Sequence, residues 1–255
     1  TMVGRATLHN FDEIARLGLK KGDTVFIEKG GEVIPKVVSV VRDARKGTEE
    51  EIPIPVRCPV CGSAVVKEPG AVAIRCPNVR CPAQVKEAIL HFAGRDAMDI
   101  KGLGDRLVDM LVDRGILSDY GDLYFLSSPQ LCSLDRVGQK SAANLLANIE
   151  ASKGRPFEDL LCGLGIRFVG AHASRILAHT YRDLQSVGAA SFEELASIPG
   201  VGPVTARNIR DFFDTPENRT VIAKLEKAGV NTAAVKILVG ARLAGKVFVF
   251  TGVLR

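Results

Sequence analysis

Four of the six cysteines are spaced to hold a metal ion. Cys58-Pro59-Val60-Cys61 and Cys76-Pro77-Asn78-Val79-Arg80-Cys81 are two short knuckles separated by 14 residues, giving Cys-x2-Cys-x14-Cys-x4-Cys. Four thiolates saturate tetrahedral zinc and leave no open position for substrate, so the chemistry expected of Cys58, Cys61, Cys76 and Cys81 is structural rather than catalytic. Disulfides are the competing explanation. They belong to oxidising compartments, and the sequence shows no secretory signal. A single redox Cys-x-x-Cys would leave the second pair unexplained. His91, ten residues beyond Cys81, is expected to be a core or surface histidine, and Cys132 and Cys162 small core residues.

The second group with chemical potential is a set of glycines. In Ile198-Pro199-Gly200-Val201-Gly202-Pro203-Val204-Thr205-Ala206 a two-glycine turn runs into a helix start marked by Pro203. Glycine lets the backbone turn sharply and lets another molecule approach its N–H groups. Unpaired N–H groups at a helix start, with the positive end of the helix dipole behind them, bind anions without a basic side chain. The pattern recurs in residues 100–108, 134–142, 166–174 and 198–206, with the second glycine as anchor: Gly104, Gly138, Gly170 and Gly202, spaced 34, 32 and 32 residues apart. An aliphatic residue stands four before each anchor (Ile100, Leu134, Ile166, Ile198) and another immediately before it (Leu103, Val137, Val169, Val201). A small or β-branched residue follows at plus four. A fixed period of this length marks repeated units that bury their apolar faces against one another. It resembles the helix-hairpin-helix family, which implies contact with the phosphates of duplex DNA across the minor groove. Gly102 and Gly200 occupy the first glycine position, but Arg136 and Phe168 replace it in the other two copies, which are therefore expected to be the structural members. Lys101, Lys140, Arg167 and Arg207 flank the hairpins and are candidate phosphate partners, or ordinary surface charges.

Several elements must position these residues. Residues 5–8 suit a strand, 10–18 a capped helical turn, and 24–27 and 33–41 strands joined by glycine turns, a pattern suited to a small barrel of the OB type. An unremarkable β module fits this segment equally well. The charged stretch 42–57, with Glu49-Glu50-Glu51, reads as a solvated connector. A helix should begin at Pro82 with Val85, Ile89 and Phe92 on one face and end at Gly94. Residues 95–214 read as helical, with the clearest helices over 105–114 and 139–152, and a last helix over 218–228. The expected fold class is therefore multidomain α+β: a small, incomplete OB-like β-barrel with connector (1–57), a four-cysteine zinc finger with its helix (58–94), all-α helix-hairpin-helix repeats (95–230), a linker (231–245) and, at 246–255, a buried-type strand and glycine turn that begin a further domain.

Composition sets bounds on partners. The chain of 255 residues is 46% hydrophobic and 25% charged, as folded globular proteins are. No apolar run reaches the ~18 residues of a membrane span, and a cytoplasmic location is expected. The net charge is +5, yet residues 95–215 carry more acidic than basic side chains. A basic surface is the usual footprint of nucleic-acid binding. Contact through the repeats therefore has to rely on backbone amides and a few placed cations.

Taken in order, the segments resemble bacterial NAD-dependent DNA ligase. The matching residues are Arg5-Ala6-Thr7-Leu8-His9-Asn10 and Lys29-Gly30-Gly31-Glu32-Val33-Ile34-Pro35 of the OB domain, the four cysteines of the zinc finger, the four hairpins, and Phe248-Val249-Phe250-Thr251-Gly252, similar to the first strand and turn of a BRCT domain. The resemblance implies a DNA-clamping portion of an enzyme that seals nicks in replication and repair, with duplex DNA, preferentially nicked, as partner, no membrane, and a monomeric state. It implies NAD and magnesium as cofactors of a separate adenylation domain, whose Lys-x-Asp-Gly nucleophile has no counterpart in this sequence. Arg5 and Lys29 match OB positions near the nick phosphates. Val33 and Ile34 match apolar residues that press into the minor groove, although alternation along a strand lets only one of them face the barrel interior. Two other classes stay open: a non-catalytic helix-hairpin-helix repair or junction scaffold, and a zinc-stabilised protein-interaction module.

Overall fold

A computed structural model describes residues 3–30, 34–67 and 70–234. The strand and turn expected at 246–252, most of the expected linker, and Val33 lie outside these residues. The chain divides into two compact units, Thr1–Gln84 and Val85–Arg255.

The first unit begins with helix α1 (Phe11–Leu17). Asn10 caps it by accepting from the Glu13 N–H, and Gly18 closes it in the left-handed region at φ 59°. Strands β2 (Val25–Gly30) and β3 (Ile34–Val40) form an antiparallel hairpin with a bulge at Phe26/Ile27. The strand expected at 5–8 reduces to one parallel bridge, Thr7 to Lys36. The small core is Leu17, Leu19 and Val37, with Ala6, Leu8, Ile14, Val25, Val40 and Ile52 packed around it. The stretch expected to be a solvated connector is partly ordered by charge: β4 (Glu50–Glu51) pairs antiparallel with β1 (Lys20–Lys21), and Lys20 and Glu51 form a 2.6 Å ion pair. Arg45 grips Asp23 through two guanidinium bonds of 2.7 and 2.8 Å, which hold the Asp23 carboxyl down at about 2. Two further strands, β5 (Val66–Lys67) and β6 (Ile74–Arg75), pair between the two cysteine knuckles.

Helix α2 (Pro82–Phe92) crosses the boundary between units and buries Val85, Ile89 and Phe92, the face its sequence pattern predicts. The second unit is otherwise helical: α3 (Asp105–Asp113), a 3-10 helix (Tyr120–Phe125), α4 (Ser128–Cys132), α5 (Gln139–Ser152), α6 (Phe157–Gly163), α7 (Ala171–Thr180), α8 (Leu184–Ala189), α9 (Phe192–Ala196), α10 (Pro203–Asp214) and α11 (Pro216–Ala228). One continuous apolar core runs from Val85 to Val230. The repeat pattern explains its regularity. Ile100, Leu134 and Ile166 are buried and Ile198 is packed against the core, while Val108, Ala142, Ser174 and Ala206, four residues past each anchor, are all 0% exposed. At that position the following helix meets its neighbours, and a larger side chain would force them apart.

Lys224 reaches from α11 to Asp119 and Asp122, each at 2.6 Å, and ties the last helix to the 3-10 helix. Cys162 is buried as expected of a small core residue, but Cys132 is exposed, because it ends the five-residue α4 where the chain turns toward the second hairpin. Among the described residues, no helix is long and apolar enough to cross a membrane.

Candidate nucleic-acid interface and metal centre

The metal centre is assembled by two tight turns. After Cys58 the chain folds back so that the Cys58 N–H donates to Ser63 O (2.8 Å) and the Gly62 N–H to Cys58 O (2.9 Å); Gly62 lies at φ 72°. On the other side the Cys81 N–H donates to Asn78 O at 2.9 Å. The four Sγ atoms lie within 4.8 Å of one another, with Cys58 to Cys81 at 3.9 Å and Cys61 to Cys76 at 3.5 Å. Tetrahedral zinc with Zn–S bonds of ~2.3 Å places its sulfurs about 3.8 Å apart, so the quartet fits that ion. The thiols already share charge unequally. The Ser63 hydroxyl and backbone pull Cys61 down to about 6. Cys76 is drawn down by the Asn78 backbone, but burial and the Cys61 and Cys58 sulfurs outweigh this and push it up to about 12. A central dication removes that conflict by stabilising every thiolate at once. His91 takes no part: its Nε2 lies 2.9 Å from Cys162 O.

The four hairpins share one backbone. The first-glycine position has positive φ in every copy: 92° at Gly102, 66° at Arg136, 65° at Phe168 and 91° at Gly200. The last three copies close their turns with bonds from Val137 to Leu134 O, Val169 to Ile166 O and Val201 to Ile198 O. In Ile198-Pro199-Gly200-Val201, proline at the second position and glycine at the third are the residues a type II turn requires. Arg136 and Phe168 hold the same conformation at a cost of about 1–2 kcal/mol each, because their Cβ crowds the backbone. The two copies expected to be the structural members thus share the positive φ of the other two, at 65–66° rather than 91–92°.

Each anchor glycine caps a helix. Gly104, Gly138, Gly170 and Gly202 have extended φ and ψ (φ −103°, −85°, −94° and −78°), conformations open to any residue, and none makes a side-chain cap bond. A Cβ added at any of the four would meet nothing within 4 Å. Neither backbone conformation nor internal packing therefore requires glycine at these sites. Elsewhere the chain uses Asn10, Asp183 and Ser191 as caps, and each satisfies an amide. The first turns of α5, α7 and α10 contain no acidic residue, a feature they share with α2, α4 and α8, whereas α3 carries Asp105. The result is four helix starts with open space at the anchor and, in α5, α7 and α10, no acidic side chain against the dipole, which is how a backbone holds phosphate.

The hairpins are arranged in pairs. A Cβ at Gly102 would contact Leu145 of α5 at 3.9 Å, and one at Gly200 would strike Ile176 of α7 at 2.6 Å. The first hairpin thus packs on the helix that follows the second, and the fourth on the helix that follows the third. Between the first two lies a groove of about 470 Å³ whose lining includes Lys101, Arg106, Arg136, Asn144 and Asn148. Among the described residues Lys101, Arg106, Arg136 and Lys140 enter no ion pair. Many of the unit's acids are neutralised internally: Asp109 and Asp113 by Lys86, Asp159 by Arg155, Asp214 by Arg210. A net negative helical region consequently presents unpaired positive charge beside its hairpins.

Lys101, Lys140, Arg167 and Arg207 are all exposed, with Arg167 over the Phe168 ring (5.5 Å) and Arg207 over the Phe192 ring (5.1 Å). In the first unit Arg5 is exposed, Lys29 lies in β2 opposite Pro35, and Ile34 is 63% exposed. Arg106 and Arg136 fall outside the sequence pattern. Arg106 sits two residues past an anchor, and Arg136 stands where the pattern asks for glycine.

Comparison with known proteins agrees with this geometry. Residues 1–49 match the NAD-dependent DNA ligase OB-fold domain, residues 57–83 the NAD-dependent DNA ligase C4 zinc finger domain, and residues 159–222, which hold the third and fourth hairpins, the helix-hairpin-helix motif. The chain is 47% identical over 253 residues to the DNA ligase of Geotalea uraniireducens, covering 99% of this chain and 38% of that protein. It is 49% identical over 257 residues to the DNA ligase of Pelotomaculum thermopropionicum (100% and 38%) and 48% identical over 252 residues to that of Geobacter sulfurreducens (99% and 38%). It thus spans somewhat over a third of the length of these relatives.

Proposed function

Because the chain belongs to the NAD-dependent DNA ligase family, we propose that it is the part of such an enzyme that grips duplex DNA, preferentially at a nick, while a separate domain carries out adenylyl transfer with NAD and magnesium. The observation that carries this is the set of four anchor glycines, whose missing side chains serve neither conformation nor packing and leave amides open to phosphate. Lys101, Gly102, Gly104, Gly138, Lys140, Arg167, Gly170, Gly200, Gly202 and Arg207 are the proposed contacts in the helical unit, with Arg106 and Arg136 added by the groove. Arg5, Lys29, Val33 and Ile34 are those proposed in the OB unit. Zinc on the four cysteines holds the finger's two knuckles together and does no chemistry. The chain works in the reducing cytoplasm, in replication and repair, as a monomer. No Lys-x-Asp-Gly occurs in these 255 residues, so the nucleophile of the family's reaction lies elsewhere.

The test uses the chain as it stands. It should bind nicked duplex with an affinity that falls steeply as salt rises, and it should form no covalent adduct when incubated with NAD. Salt-insensitive or absent DNA binding would contradict the first claim, and a stable protein–AMP adduct the second.

A further inference from the structure

Phe168 is costly where it stands. Its backbone is in the left-handed region at φ 65°, a conformation that glycine adopts freely at the equivalent Gly102 and Gly200. Its ring is 63% exposed and is not among the side chains packed on the helical core. Arg167 lies over it with its guanidinium carbon 5.5 Å from the ring centroid. The chain therefore bears both backbone strain and an exposed aromatic surface, with no internal packing to offset either. Strain of this kind persists where a ligand makes use of it.

The surroundings indicate the ligand. Two residues on, Gly170 opens the start of α7 to an anion, so a DNA backbone seated there brings sugar and base edges next to the ring. An uncharged ring gains nothing from phosphate but does gain from an apolar sugar edge or a base step. In the adjoining hairpin, Val204 is also 63% exposed, on the second residue of α10. The third and fourth hairpins thus each carry one exposed apolar side chain, where the groove between the first and second is lined by Arg106 and Arg136.

Resting on the DNA reading above, we propose that Phe168, supported by Val204, is an apolar wedge that enters the minor groove at a base step and bends the duplex, while the first hairpin pair holds it by charge. Proteins that bind this groove use such wedges, exchanging some base stacking for a bend that brings more surface into contact.

Two substitutions separate this from a structural role. Phe168→Gly relieves the strained backbone, and Phe168→Arg copies the sibling hairpin, which tolerates arginine at φ 66°. Both variants of the full chain should fold, with a melting temperature equal to or above that of the parent. On nicked duplex labelled at its ends for energy transfer and carrying 2-aminopurine near the nick, F168G should bind about tenfold more weakly and lose both the bend and the unstacking signal. F168R should recover affinity through its charge but not the bend. If both variants fold, bind and bend DNA as the parent does, the wedge is overturned while the DNA reading stands. If both fail to fold, the ring is a structural element and the wedge is likewise overturned. If the parent chain binds no DNA, the reading beneath the wedge falls and the wedge with it.

Discussion

At the first and fourth hairpins two glycines serve different ends, and single substitutions should separate them. Gly200 has a φ of 91°, and a Cβ there would come within 2.6 Å of Ile176 Cδ1, so both backbone and packing exclude a side chain. Gly202 has φ −78° and open space around it. Gly200→Val should therefore lower stability by about 2 kcal/mol or more, from the left-handed strain plus overpacking. Gly202→Val should leave the melting temperature within a few degrees of the parent and still weaken DNA binding, because the isopropyl group occupies the space a phosphate would need. Thermal denaturation and binding measured on the same samples check both halves. The sequence identifies the two glycines as a unit but cannot divide the labour between them, since the division depends on Ile176, which comes from another repeat.

Local chemistry made many elements readable and non-local pairing hid others. Helix α5 has the bounds its apolar period predicts, 139–152, and α11 ends as expected before a left-handed Gly229. The short α9 carried its own signal, a capping box in which Ser191 and Glu194 satisfy each other's amides, although five residues are too few for a periodicity to register. The pairing of β1 with β4 was not readable, because two lysines and two glutamates thirty residues apart look like solvated charge until they meet. The metal knuckles lie at the other extreme: spacing alone brings Cys58, Cys61, Cys76 and Cys81 together. Metal analysis should find one zinc per chain. Cys58→Ser should lower zinc retention in a competitive chelator titration and unfold the finger, because that ligand is 8% exposed and its loss leaves three converging thiolates short of a partner. Parent-like zinc retention in the variant would show that the quartet is not the ligand set.

For the molecule as a whole, the period of the anchors revealed four like units but not their grouping into two pairs. That grouping arises from contacts between Gly102 and Leu145 and between Gly200 and Ile176, each between residues too far apart in the chain for a local pattern to link. Nor did net charge reveal the electrostatics. The helical region has an acidic excess, yet ion pairs such as Lys86 with Asp109 and Asp113 occupy many of its acids, and among the described residues Lys101, Arg106, Arg136 and Lys140 near the hairpins enter no ion pair. On the proposed reading, four amide sites and a few cations outside ion pairs hold a polyanion on a surface whose total charge would repel it.

The account rests on those amides, and amide hydrogen exchange on the chain, free and bound to nicked or intact duplex, tests it most directly. Apart from Leu107, which donates to Gly104 O, and Pro203, which has no N–H, the first-turn amides of α3, α5, α7 and α10 have no acceptor within their helices and should exchange fast in the free chain. On nicked duplex they should become protected in all four hairpins, and less so on intact duplex. Protection confined to other surfaces, with those first-turn amides exchanging as fast as before, would contradict the hairpins as the grip.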